Sequence, residues 1–98
     1  MPTEIKQARI YWADGTNQAT DPTNKRDFSL EEMQKIVGGY IEMVYIGNTG
    51  YLLVINEEGK FEKPIRVNAA ATDAVREFLQ KDDFICGDVL FCHRSQIK

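Results

Sequence analysis

Histidine occurs once in this chain and cysteine twice, and that scarcity removes several kinds of chemistry at the outset. Cys86, Cys92 and His93 could supply three zinc ligands, but the spacing C-x5-C-H matches no structural zinc pattern. Both cysteines sit beside apolar residues (Phe84 and Ile85; Leu90 and Phe91), where a thiol packs as a small hydrophobe. No metal, no other cofactor and no disulfide is expected. Positive charge is also short. Twelve Lys and Arg face 15 Asp and Glu, for a net charge of −3 and a pI near 5.1. A general affinity for DNA or RNA backbones needs clustered positive charge, so free nucleic acid is not expected as the main target. No apolar run approaches the roughly 20 residues that span a bilayer, which excludes a membrane partner of that kind. The opening MPTEIKQARIYW lacks the basic start and apolar run of a signal peptide. The expected location is cytoplasmic. Phosphate-loop and nucleophile-elbow motifs are missing too, and no residue is assigned a catalytic role.

What remains is ordinary globular usage, 43% hydrophobic and 28% charged over 98 residues, enough for one small domain spanning 1–98. Residues 5–12, IKQARIYW, alternate as a strand, with Ala8, Ile10 and Trp12 on one face and Gln7, Arg9 and Tyr11 on the other. Asp14-Gly15 marks a turn and a returning hairpin arm. The polar arm itself, TNQAT at 16–20, leaves open whether a strand forms there, and DPTNKRD reads as loop. Ser29 followed by Glu32 is a capping box. Leu30, Met33, Ile36 and Val37 then recur at helical spacing, giving a helix over about 30–37. Gly38 is placed to close that helix in the left-handed conformation, and Gly39 to let the chain reverse into a strand at Tyr40.

Strands are expected at 40–46 (YIEMVYI), 51–56 (YLLVIN) and 60–67 (KFEKPIRV), joined as a meander by GNTG and NEEGK. Pro64 consigns the third to an edge or breaks it. Asn68 N-caps a second helix over AAATDAVREFLQK, with Ala71, Val75, Phe78 and Leu79 on its inner face. Val89–Cys92 is the last strand and 93–98 a loose tail. The predicted fold is α+β: a mostly antiparallel sheet of four to five strands, two helices on one face, in the order β(β)-α-β-β-β-α-β.

The segment SLEEMQKIVGGYIE, the later NEEGK, the RVNAAATDA and the closing GDVL together resemble the domain of unknown function family 3846. The likeness covers roughly residues 28–92, with 1–27 as a preceding strand, hairpin and loop. The resemblance implies a setting: small proteins of phages, plasmids and conjugative elements, encoded among accessory genes near antirestriction and replication functions. It implies no reaction. Its recurring polar positions fall here on Gly38, Gly39, Glu42, Asn68 and Asp88.

These positions, with Tyr40, form the first candidate ligand site: Gly38, Gly39, Tyr40, Glu42, Asn68 and Asp88. Each also has a plainer reading. Glu42 can lie on a solvated sheet face beside Lys60 or Arg66, Asn68 is explained as a helix cap, and Asp88 as a turn residue. The expected function is a non-catalytic binding module of a mobile element. It would play an accessory or anti-host-defence part, by binding a host protein or by sequestering a small nucleotide ligand. One alternative is single-stranded nucleic-acid binding on the sheet through Tyr45, Tyr51 and Phe61 with Lys60, Lys63 and Arg66. A further alternative is acid–base catalysis by Glu42 and Asp88. Composition leaves the oligomeric state open.

Overall fold

The computed structural model describes residues 6–98. Ile5, the first residue of the predicted N-terminal strand, lies outside them. Five strands form one fully antiparallel sheet in the order β2-β1-β5-β4-β3, with β1 Arg9–Tyr11, β2 Asn17–Ala19, β3 Ile41–Tyr45, β4 Tyr51–Asn56 and β5 Val89–His93. Helix α1 is Leu30–Val37 and helix α2 is Ala69–Ala74. The fold is α+β, and strands and helices follow the predicted order except at residues 60–67.

Helix α1 starts where the sequence signals say. The Ser29 hydroxyl accepts from the Glu32 N–H while the Glu32 carboxylate accepts from the Ser29 N–H. It ends at Gly38, whose φ of 83° closes the last turn and aims its N–H at the Gln34 carbonyl. Gly39 is needed for a different reason from the reversal expected of it. A Cβ built there would stand 2.9 Å from the side-chain nitrogen of Asn56, so the second glycine makes room for that buried amide.

The central strands have two apolar faces. Leu52, Val54, Leu90 and Cys92 join Ala8, Phe28, Met33 and Val37 in a core under α1. Leu53 and Val89 join Ala71, Val75 and Ile85 in a second core under α2. The helices therefore cover opposite faces of the sheet, not one face as predicted. The run YLLVIN already carried the reason: apolar residues at consecutive positions need burial on both sides.

Residues 60–67 are not a third meander strand. After β4 the chain turns through a 3-10 turn at Gly59–Phe61 and stays exposed to Val67, which makes a single bridge to Cys86. The two neighbour positions of β4 are taken by β3 and β5, and Pro64 cannot donate to a ladder. The second helix is shorter than predicted. It gives way after Ala74 to a 3-10 turn at Arg76–Phe78, leaving Phe78 half exposed instead of on an inner face. The C-terminal tail, expected to be loose, is pinned: Ile97 bridges Phe28 and packs against the α1 core. The polar arm at 16–20 does form a strand, three residues long.

Candidate functional site

Of the six residues in the predicted ligand site, four gather around one amide and two serve elsewhere. Gly38, Gly39 and Tyr40 line a crevice of about 300 Å³ with Asn56 and Glu62. Glu42 lines an adjoining crevice of about 190 Å³ that Asn56 also borders. The Asn56 amide donates to the Val37 carbonyl and to Glu62, and its oxygen accepts from the Glu58 N–H. Asn68 is buried. Its oxygen caps α2 through the Ala71 N–H, while its amide donates to the carbonyls of Tyr11 and Gly87. Asp88 accepts from the Ala13 N–H at 2.9 Å and lies 3.7 Å from the Arg66 guanidinium. Asn68 and Asp88 thus fasten α2 and β5 to β1. They border neither crevice.

Charge decides what this end of the sheet could hold. Glu42, Glu57, Glu58 and Glu62 line the two crevices. Of the cations expected beside Glu42, Lys60 is bonded to Asp83 and Arg66 faces Asp88. Tyr40 and Phe61 stand 70% and 80% exposed beside these acids. An anionic ligand would be repelled here.

The residues of the nucleic-acid reading are spread over the molecule. Tyr45 lies on the α1 side of β3, where its hydroxyl reaches the Met43 sulfur. By strand alternation Tyr51 points to the opposite face. Glu42 and Asp88, the pair of the catalytic reading, are separated by the whole of β4.

A larger site was not singled out from the sequence. A groove of about 500 Å³ runs between β1 and α2, walled by Lys6, Gln7 and Arg9 on one side and by Ala70, Ala71 and Ala74 on the other. Its floor is Tyr11, Leu53 and Phe91. The alanines keep it open, because their methyl groups do not reach into space that longer side chains would fill. Phe91 stacks on Tyr51 with ring centres 5.2 Å apart, and His93 meets Tyr51 edge-on at 5.0 Å. The Tyr51 hydroxyl accepts from the Lys6 N–H. Arg9 is steadied by the neutral amide of Asn17 at 2.6 Å, so its charge is not cancelled by that partner. Alternation had put Gln7, Arg9 and Tyr11 on one face. What it lacked was the pairing of β1 with β5, Arg9 opposite Phe91.

The thiols are poor nucleophiles. Burial pushes Cys92 up to about 12 and raises Cys86 as well. Among the described residues there is no cluster of His, Cys, Asp and Glu of the kind that holds a metal, and no helix is long and apolar enough to cross a membrane.

No curated protein and no solved structure is detectably similar to the chain. A family profile does match it, over residues 10–97, which takes in the N-terminal hairpin as well as the segment carrying the VGGYIE motif. The chain belongs to the family described as Domain of unknown function (DUF3846).

Proposed function

We propose that this protein is a non-catalytic binding module with an accessory, anti-host-defence role on a mobile genetic element. It acts by sequestering a small nucleotide-class ligand in the groove between β1 and α2. One observation carries the reading: two cations, Lys6 and Arg9, border a groove whose floor is made of aromatic and aliphatic side chains. A ring with an attached phosphate has that pairing of chemistries, apolar contact for the base and a guanidinium for the anion. The acidic end around Asn56 is the wrong charge for such a ligand.

The test is a thermal-shift panel of cyclic dinucleotides, cyclic oligonucleotides, ADP-ribose derivatives and short single-stranded oligonucleotides. A ligand at about 100 times its Kd adds roughly 2.7 kcal/mol, and each kcal/mol moves the Tm of a domain this size by about 4–8 °C. Arg9→Ala and Phe91→Ala should abolish the shift, and Tyr40→Ala should leave it intact. The ligand should be recovered chemically unchanged; turnover ends the non-catalytic reading. A flat panel, with a host protein captured instead, moves the role to partner-protein binding. The aromatic row Phe91, Tyr51 and His93 gives the single-stranded nucleic-acid reading its own support. It would win if only oligonucleotides bound, with an affinity falling steeply as salt rises through about 150 mM.

A further inference from the structure

The two edges of the sheet are built differently. The β2 edge is three residues long and polar, Asn17-Gln18-Ala19, which is a common way of blunting an edge. The β3 edge is five residues long and reads Ile-Glu-Met-Val-Tyr. Its hydrogen-bond parity can be read from its ends. The Tyr40 carbonyl accepts from the Glu57 N–H, and the Ile46 N–H donates to the Tyr51 carbonyl. The even-numbered residues therefore face β4, and the backbone groups of Ile41, Met43 and Tyr45 point outward. Among the described residues those outward groups make no turn, loop or side-chain hydrogen bond.

We propose that the β3 edge pairs with the β3 edge of a second copy of this chain. The two strands run antiparallel about a two-fold axis through Met43 and continue the five-stranded sheet into its mate. The outward positions are symmetric about Met43, so every donor and acceptor finds a partner. Met43 pairs with Met43, and Ile41 with Tyr45 in each direction. On the other face Glu42 lies opposite Val44, so no like charges are directly apposed. Charge also fits along the interface. The antiparallel arrangement sets Tyr40 and Glu57 of one copy beside Ile46 and the uncharged Gly47–Gly50 hairpin of the other, while the two Glu42 side chains meet only on the diagonal across the axis. Two exposed Tyr45 rings, each 57% accessible, are covered in the same step. An isologous two-fold contact is the commonest way for soluble chains to associate. The groove between β1 and α2 lies away from this edge, so the pairing is independent of the ligand proposed above.

Sedimentation velocity from low micromolar to about 1 mM, the range in which small interfaces associate, should show a mass rising from 11.2 kDa toward twice that value. Met43→Pro is the decisive variant. It removes an outward N–H and leaves the β3–β4 ladder whole, so the far-UV spectrum should hold while the mass stays at one chain. If that variant unfolds, Tyr45→Lys replaces it, a lysine on the edge having the same effect without touching the backbone. Met43→Cys should cross-link to itself through a short bifunctional thiol reagent, whereas Gln18→Cys on the opposite edge should not. Cys86 and Cys92 are buried and stay silent. A monomer throughout the range overturns the proposal. So does a dimer that survives both Met43→Pro and Tyr45→Lys, or equal cross-linking at the two edges.

Discussion

The two faces of the sheet are finished to different standards. Under α1 lie Phe28, Met33, Leu52, Val54, Leu90 and Cys92, each no more than 2% exposed. The helix above them has a complete capping box at one end and a left-handed glycine at the other. Under α2 the helix is six residues long and its capping asparagine is buried, while the segment that continues it leaves Phe78 half in solvent. Alanines stand where larger side chains would close the groove to β1. A domain of this size buries a limited fraction of its surface. Both cores are sealed, Leu53, Val75 and Val89 being as buried as the residues under α1; the α2 face differs in its short helix and in the open groove of about 500 Å³ beside it.

A matched pair of substitutions breaks or upholds that contrast. Phe28→Ala on the α1 face should cost about 3–5 kcal/mol, the usual loss for a fully buried ring, with a correspondingly large fall in the urea midpoint. Phe78→Ala, the same chemical change on the α2 face, removes a ring that is 51% exposed and should cost about 1 kcal/mol or less. Equal losses from the two would erase the distinction between the faces.

The glycine pair sharpens the contrast from the well-packed side. Gly39→Ala drives a Cβ into the amide of Asn56, which is held by three hydrogen bonds. The expected cost is about 1–3 kcal/mol, from overpacking and a disturbed buried polar group. Gly38→Ala meets nothing within 4 Å. It pays only for the left-handed backbone, about 1–2 kcal/mol. The order of the two, read from chemical denaturation, separates a steric glycine from a conformational one. A Gly38→Ala variant more stable than the parent removes the cap.

How much of this was legible in the sequence follows from the range of the forces involved. Helix α1 falls where its signals put it, at about 30–37, because those signals are local: Ser29, Glu32, the 3.6-residue spacing and Gly38 all lie within ten positions. The N-cap role of Asn68 was legible for the same reason. The insertion of β5 between β1 and β4 was not, since no residue near 9 or 90 states that they will pair. The groove depends on that pairing and went unseen with it. Periodicity within single elements does not say which face of the sheet each helix takes, so one face is the reading it yields. Consecutive apolar residues in YLLVIN called for two layers. Residues 60–67 read as a strand on spacing alone, but Phe61, Ile65 and Val67 remain about half exposed or more. Both sides of β4, the strand a meander would have paired them with, are taken by β3 and β5.

The smallest expected effect concerns Glu32, which ties the loop before α1 to the helix. Its carboxylate accepts from the Ser29 N–H and from the N–H and hydroxyl of Thr23. Those bonds, Ser29 first, hold its pKa at about 2, below an ordinary value of 4.5. A depressed folded-state pKa means the unfolded chain binds the proton more readily. The stabilisation is therefore complete above about pH 4.5 and is lost as pH falls toward 2. In Glu32→Gln that proton linkage is gone. The variant should be slightly less stable than the parent at neutral pH, and the gap should narrow steadily as denaturation midpoints are compared from pH 5 down to pH 2. Phe78→Ala, at a position remote from the capping box, should keep the parent's acid slope. If Glu32→Gln keeps that slope too, the carboxylate does not fasten the loop to α1, and the α1 face owes its order to apolar packing alone.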